Sequence, residues 1–272
     1  MRVLEIDGVV LMVVGKTLLA GVDWQVEAGQ HWVIMGPNGA GKTSLLALAA
    51  AVRHPTKGTV TVLGHRLGRV DMRELRRHIG LVAASQRLVD EELLEEEGAS
   101  AHTVVLTGHT GTSAPLWHRY GPAEHERAHR LLAELGCKDL AERRFRVCSQ
   151  GERARIRVAR ALMAEPALLL LDEPFAGLDL PAREDLITAI EDLSARDGLT
   201  TITVTHHLEE VPATTTHALL MRDAGIMVGG PVRQVLTSER LSECFGRPLR
   251  VDQMDGRWSA RALRLRSGAE GS

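Results

Sequence analysis

Residues 31–52 read His31-Trp32-Val33-Ile34-Met35-Gly36-Pro37-Asn38-Gly39-Ala40-Gly41-Lys42-Thr43-Ser44-Leu45-Leu46-Ala47-Leu48-Ala49-Ala50-Ala51-Val52, and this stretch decides the fold. A compact apolar strand runs into a Gly-rich loop, and from Thr43 to Val52 the run of Leu and Ala favours helix. The loop matches G-x-x-x-x-G-K-[ST], with the strand before it and the helix after it that the pattern requires. Its glycines let backbone N–H groups close around phosphate oxygens, and the helix adds its positive N-terminal end. Lys42 is expected to reach the β- and γ-phosphates of a nucleotide, and the Thr43 hydroxyl to bind Mg²⁺. The candidate nucleotide-binding positions here are Gly36, Pro37, Asn38, Gly39, Ala40, Gly41, Lys42, Thr43 and Ser44.

A second half of the site is legible in Leu168-Leu169-Leu170-Leu171-Asp172-Glu173. A wholly apolar run fills a buried parallel strand, and two acids at its end bring negative charge to the carboxyl edge of the sheet, where open α/β folds bind ligands. Asp172 is expected to hold Mg²⁺, directly or through water. Glu173 is then placed to orient the water that attacks the γ-phosphate, or to accept its proton.

Outward from these motifs, Leu4–Val14 and Leu18–Val26 read as strands joined by a turn at Gly15 and Lys16, and Gly58–Gly64 as a further strand. Asp71 is a good N-cap for a helix with Met72, Leu75 and Ile79 on one face, and Leu81–Ala84 forms the next strand. Residues 90–97, rich in Glu, read as a solvated face. Pro122–Gly136 and the segment after Arg153 are helical, and Ile202–Thr205 is another strand. Alternating strands and helices predict an α/β fold: a P-loop NTPase whose RecA-like, mostly parallel sheet has an antiparallel β edge and carries an inserted helical subdomain. The expected division is a cassette over 1–230, with its core at 1–86 and 165–230 and the helical part at about 87–164. A C-terminal extension over 231–272, packed or fraying, holds Arg247, Arg250, Arg257, Arg261, Arg264 and Arg266.

Composition narrows the class. With 44% apolar and 25% charged residues in 272, the chain can bury a real core. A formal net charge of −2 gives no overall positive field to hold a nucleic-acid backbone, so no nucleic-acid partner is expected. Cys137, Cys148 and Cys244 are widely spaced and form no Cys-x-x-Cys pair, which speaks for a reducing compartment. Acidic residues stand where a secretory signal would have its apolar segment, and no apolar stretch approaches the roughly 18–20 residues that cross a bilayer.

The order of motifs resembles the ATP-binding subunit of ABC transporters over roughly Leu4 to Gly230. The most family-specific element is Cys148-Ser149-Gln150-Gly151-Glu152, similar to the signature Leu-Ser-Gly-Gly-Gln. Ser149 and Gly151 match; Cys148, Gln150 and Glu152 depart, and Gln150 weakens the likeness most. Ser149, Gln150 and Gly151 are implied to embrace a γ-phosphate. Gln86 matches the Q-loop, which resembles a Mg²⁺ or water ligand that also senses the membrane partner. Ala176-Gly177-Leu178-Asp179 resembles the D-loop, in which Asp179 contacts the facing subunit. Thr205-His206 resembles the H-loop, with His206 bonding the γ-phosphate. One family feature is missing: where an aromatic side chain commonly stacks on adenine, this chain has Val10-Leu11-Met12-Val13-Val14.

The resemblance implies ATP and Mg²⁺ as ligands, hydrolysis of ATP to ADP and phosphate, and a catalytic set of Glu173, His206 and Gln86. The implied partners are a second cassette, as a homodimer, and an integral-membrane permease; the implied location is cytoplasmic, at the inner face of the cell membrane. Residues 108–120, with Trp117 and His118, are the expected coupling surface toward that partner. Three rivals stay open at this point: a soluble ABC ATPase that remodels a macromolecular complex, a nucleotide-dependent regulator without useful turnover, and a P-loop kinase.

Overall fold

The computed structural model describes residues 1–83, 98–112, 114–196 and 198–263. Its first layer is an antiparallel sheet. Arg2–Val13 (β1) and Lys16–Glu27 (β2) form a long hairpin, with Ile6 opposite Trp24, while Lys57–Val62 (β4) pairs with the other side of β1 and His65–Arg66 (β5) closes the edge. The hairpin turns at Val14-Gly15, one residue earlier than the sequence suggested.

The second layer is the parallel sheet. His31–Met35 (β3), Ile79–Ala83 (β6), Leu168–Asp172 (β7), Thr200–Val204 (β8) and His217–Arg222 (β9) run in one direction, and Gly225–Pro231 (β10) adds an antiparallel edge, in the order β10-β9-β3-β8-β7-β6. The four leucines of β7 explain why this sheet lacks apolar–polar alternation. Leu168 and Leu170 pack on one face against Ile202 and against Leu45 and Leu48 of Lys42–Ala49 (α1), and Leu169 and Leu171 pack on the other among helices. All four are fully buried, each contributing roughly 1.5–3 kcal/mol by removal from water.

Short helices begin where their caps dictate. Met72–Arg77 (α2) starts with Asp71 accepting from the Arg73 N–H at 2.8 Å. Ile79, expected on this helix, instead opens β6. Between β6 and β7 lie Ala101–Thr110 (α3), capped by Ser100, Pro122–Glu134 (α4), with proline at its first position, and Gln150–Leu162 (α5). Leu180–Ser194 (α6) follows β7. Among the described residues no helix is long and apolar enough to cross a membrane.

Three histidines stack where α3 meets α4: the His102 ring lies 5.0 Å from that of His125 and 4.3 Å from that of His129. Burial, and then the neighbouring His129, hold the His102 pKa below the ordinary histidine value, with Glu142 and the His125 carbonyl pulling the other way. The folded state therefore favours neutral His102. As pH falls below about 6.5 the unfolded chain takes up the proton first, and stability is lost until the lowered folded pKa is passed. Thermal melts from pH 7 to 5 are expected to show a falling Tm. The fall should be shallower in His102→Phe, which keeps a ring without the charge; equal slopes would remove His102 from the effect.

The C-terminal segment is folded, not fraying, through residue 263. Val232–Val235 (α7) and Ser238–Phe245 (α8) lead into a hairpin of Leu249–Met254 (β11) and Arg257–Ala262 (β12). Leu241, Cys244 and Trp258 pack with Val33, Met35 and Leu220, so this extension covers part of the parallel sheet. Arg264 and Arg266 lie outside the described residues.

Candidate functional site

The phosphate loop leaves the carboxyl end of β3, which lies inside the sheet between β8 and β9. A Cβ on Gly36 would stand 2.1 Å from the Met221 carbonyl oxygen of β9, so only glycine lets the loop start this close to its neighbour. Gly41 occupies the N-cap of α1; no side chain caps the helix and its first turn contains no acid. The N-terminal amides are thus left to an anion. Lys42 is only 6% exposed, and its ammonium donates to the Gly36 carbonyl at 2.8 Å and the Pro37 carbonyl at 3.1 Å. Burial pushes its pKa down; the carboxylates of Glu173 and Asp172 push it back up.

Two neighbouring strand ends bring the acids and the histidine. Asp172 closes β7, is 5% exposed, and accepts from the Thr43 hydroxyl at 3.4 Å. Glu173 turns away with φ 49°, its N–H bonded to the Val204 carbonyl at 2.9 Å. Its Oε1 lies 3.2 Å from Nδ1 of His206. The turn after β8 is held from within: the buried Thr205 hydroxyl donates to the Glu210 carboxylate, and the His207 N–H donates to the Thr205 hydroxyl at 3.1 Å. Lys42, Thr43, Asp172, Glu173 and His206 therefore meet at the carboxyl edge of the parallel sheet, where this fold class binds ligands.

The signature residues form a second group. Ser149 is the N-cap of α5: its hydroxyl accepts from the Glu152 N–H at 3.2 Å, and Glu152 accepts from the Ser149 N–H at 2.7 Å. Such a capping box is signalled by the Ser-x-x-Glu spacing, although the sequence reading took Glu152 only as a replacement for Gln. A Cβ on Gly151 would come within 2.6 Å of the Ala182 Cβ, and one on Gly177 within 2.8 Å of the Gln150 side-chain oxygen. Asp179 caps α6, accepting from the Ala182 N–H at 3.0 Å. The starts of α5 and α6 are thus packed side by side, and the exposed apolar residues Val147 and Leu180 flank them. Gln86 lies outside the described residues. Glu210 was missed by the sequence reading; nothing local marks it, since its partner Thr205 is reached only by the fold of the turn.

A phosphate loop at the end of an inner parallel strand, with an Asp-Glu pair ending another strand of that sheet, defines a P-loop NTPase. The chain belongs to the ABC transporter family, whose profile matches residues 19–176. It is 39% identical over 251 residues to YlmA, an uncharacterised ABC transporter ATP-binding protein of Bacillus subtilis, covering 92% of this chain and 93% of that protein. A phosphonates import ATP-binding protein of Synechococcus is 33% identical over 238 residues, covering 85% and 86%. Among solved structures, an ATP-binding cassette held as a dimer in a post-hydrolysis state with ADP and phosphate superimposes with a TM-score of 0.71 at 23% identity, covering 85% of this chain and 99% of that one. The chain is thus an ATP-binding and ATP-hydrolysing subunit of an ABC transporter.

Proposed function

We propose that this subunit works as one half of a homodimer in which each copy's Ser149 loop caps the ATP held by the other copy's Lys42 loop. The observation that carries the reading is the separation of labour in the site. Lys42, the Thr43–Asp172 pair and the Glu173–His206 pair gather at the carboxyl edge of the parallel sheet, while Ser149, Gln150, Gly151 and Asp179 gather at the starts of α5 and α6, flanked by exposed Val147 and Leu180. A second copy would cover those apolar side chains.

In this reading the amides of 36–44 and the Lys42 ammonium bind the β- and γ-phosphates. Glu173 orients the attacking water and takes its proton, and His206, hydrogen-bonded to Glu173, contacts the γ-phosphate. Thr43 and Asp172 present adjacent oxygen ligands suited to a hard cation, so they would hold Mg²⁺, which supplies charge neutralisation for the phosphates. The role of Gln86 at the same cation rests on the family resemblance. Loss of γ-phosphate contacts after hydrolysis then favours the open pair.

A separate integral-membrane permease would convert closure and opening into transport. The subunit would sit against it at the inner face of the cell membrane, through residues 108–120, where Trp117 is exposed. The named phosphonate importer among the relatives favours import. We take 1–230 as the cassette, with 87–164 as its helical subdomain, and 231–272 as an extension.

Crystals grown with a nonhydrolysable ATP analogue test the dimer: ligand enclosed within one chain, with Ser149 remote from the terminal phosphate, would end the proposal. Co-purification from membranes tests the permease, and recovery of the subunit free of any integral protein would count against it.

Adenine recognition should be weak. Val13 is half-buried and Val14 is fully exposed in the turn of the β1–β2 hairpin, so this segment offers apolar contact without a stacked ring. Comparable Kd values for ATP and GTP are expected in competition binding; a strong ATP preference would show that another group reads the base.

A further inference from the structure

The reading above assigns His206 to the γ-phosphate, and on that assignment we propose that Arg257, in the C-terminal hairpin, is a positioning residue for ATP hydrolysis. It ties the segment after His206 to α6 and so sets where His206 stands against Glu173. Three bonds carry this. Arg257 Nη1 donates to Glu184 Oε2 at 2.9 Å and Nη2 to Glu184 Oε1 at 3.3 Å, a two-pronged grip on α6, and Nη2 also donates to the Glu209 carbonyl at 2.7 Å. Glu209 belongs to the 3₁₀ turn Leu208–Glu210, which begins two residues past His206.

The segment from Thr205 to Ala213, which contains this turn, is held at other points. The Ala260 N–H of β12 donates to Glu209 Oε1 at 3.4 Å, Thr205 donates to Glu210, and the Ala213 N–H donates to Glu191 of α6 at 2.6 Å. The strand end that delivers His206 is therefore fastened to its own turn, to the C-terminal hairpin and to α6. Since Asp179 caps α6, one guanidinium joins the H-loop to the helix that follows the D-loop.

Energetics favour a positional over a stabilising role. Glu184 is 43% exposed and Arg257 32%, so the ion pair contributes little to folding. What the planar fork supplies is direction: it meets a carboxylate with two donors while a nitrogen still reaches a carbonyl, which a lysine ammonium does not reproduce. The 3.2 Å contact between His206 and Glu173 has little slack, and displacements of about 1 Å in such groups can cost up to about 100-fold in rate.

The test compares Arg257→Ala, Glu184→Gln and His206→Ala in full-length protein, measuring kcat for phosphate release, ATP Kd and thermal midpoint. The expected result is a kcat about tenfold lower in Arg257→Ala and about threefold lower in Glu184→Gln, with Kd and midpoint unchanged. Adding Arg257→Ala to His206→Ala should lower kcat no further, because the effect passes through His206. Normal kcat in Arg257→Ala beside a crippled His206→Ala overturns the positioning role and leaves the His206 assignment standing. A parallel fall in kcat, affinity and midpoint reduces Arg257 to structural support and also overturns it. Normal hydrolysis in His206→Ala removes the assignment itself, and the proposal with it. Should Arg257→Ala fail to fold, Glu184→Gln decides by the same split between kcat and Kd.

Discussion

Replacing Glu173 by Gln is expected to slow ATP hydrolysis by about 10²–10⁴-fold while leaving ATP binding intact. The substitution keeps the size and hydrogen-bonding reach of the side chain, so the 3.2 Å contact with His206 can persist with the histidine as either partner. What disappears is the carboxylate proposed to accept the proton of the attacking water. The γ-phosphate would then stay in place, with the contacts proposed to close the pair of cassettes. Phosphate release measures the rate, and size-exclusion chromatography with ATP should show a stable dimer that the unmodified protein forms only transiently. A Gln variant that turns over normally would take Glu173 out of the reaction. A variant that is slow but stays monomeric with ATP would leave the catalytic role standing and remove the shared-nucleotide dimer.

Lys42→Ala is expected to raise the Kd for ATP by about 10- to 100-fold, since a hydrogen bond to a charged group contributes roughly 1.5–3 kcal/mol. The ammonium donates to the Gly36 and Pro37 carbonyls, inside the loop that it would help to close on phosphate. Phosphate oxygens would add a counter-charge beside those of Glu173 and Asp172, opposing the burial that depresses the Lys42 pKa. Truncation removes the charge that would meet the phosphates and leaves the two carbonyls without their donor. Calorimetric titration with ATP measures the effect, and circular dichroism separates it from unfolding. An unchanged Kd in a folded variant would contradict the role given to Lys42.

The fold was largely legible because its strongest signals are local. A buried parallel strand must be apolar on both faces, so Leu168–Leu171 announced itself, and the loop after β3 needs glycine where the backbone passes Met221. Errors fell at boundaries. Ile79 fits the helical period of α2 as well as it fits the first position of β6, and only pairing with Leu168 across the sheet separates the two.

The amino-acid sequence by itself determined the class of protein and the ligand. Phosphate recognition needs backbone amides, a lysine and a hydroxyl in one short segment, and the acids end a strand that hydrophobicity alone marks, so spacing along the chain is enough. Tertiary structure decided which of those groups meet: Glu173 with His206, Thr43 with Asp172, Gly151 with Ala182, and Arg257 with both Glu184 and Glu209. These partners are far apart along the chain, and the strand order and helix packing that bring them within a few ångströms depend on burial summed over the whole core, which no local pattern carries.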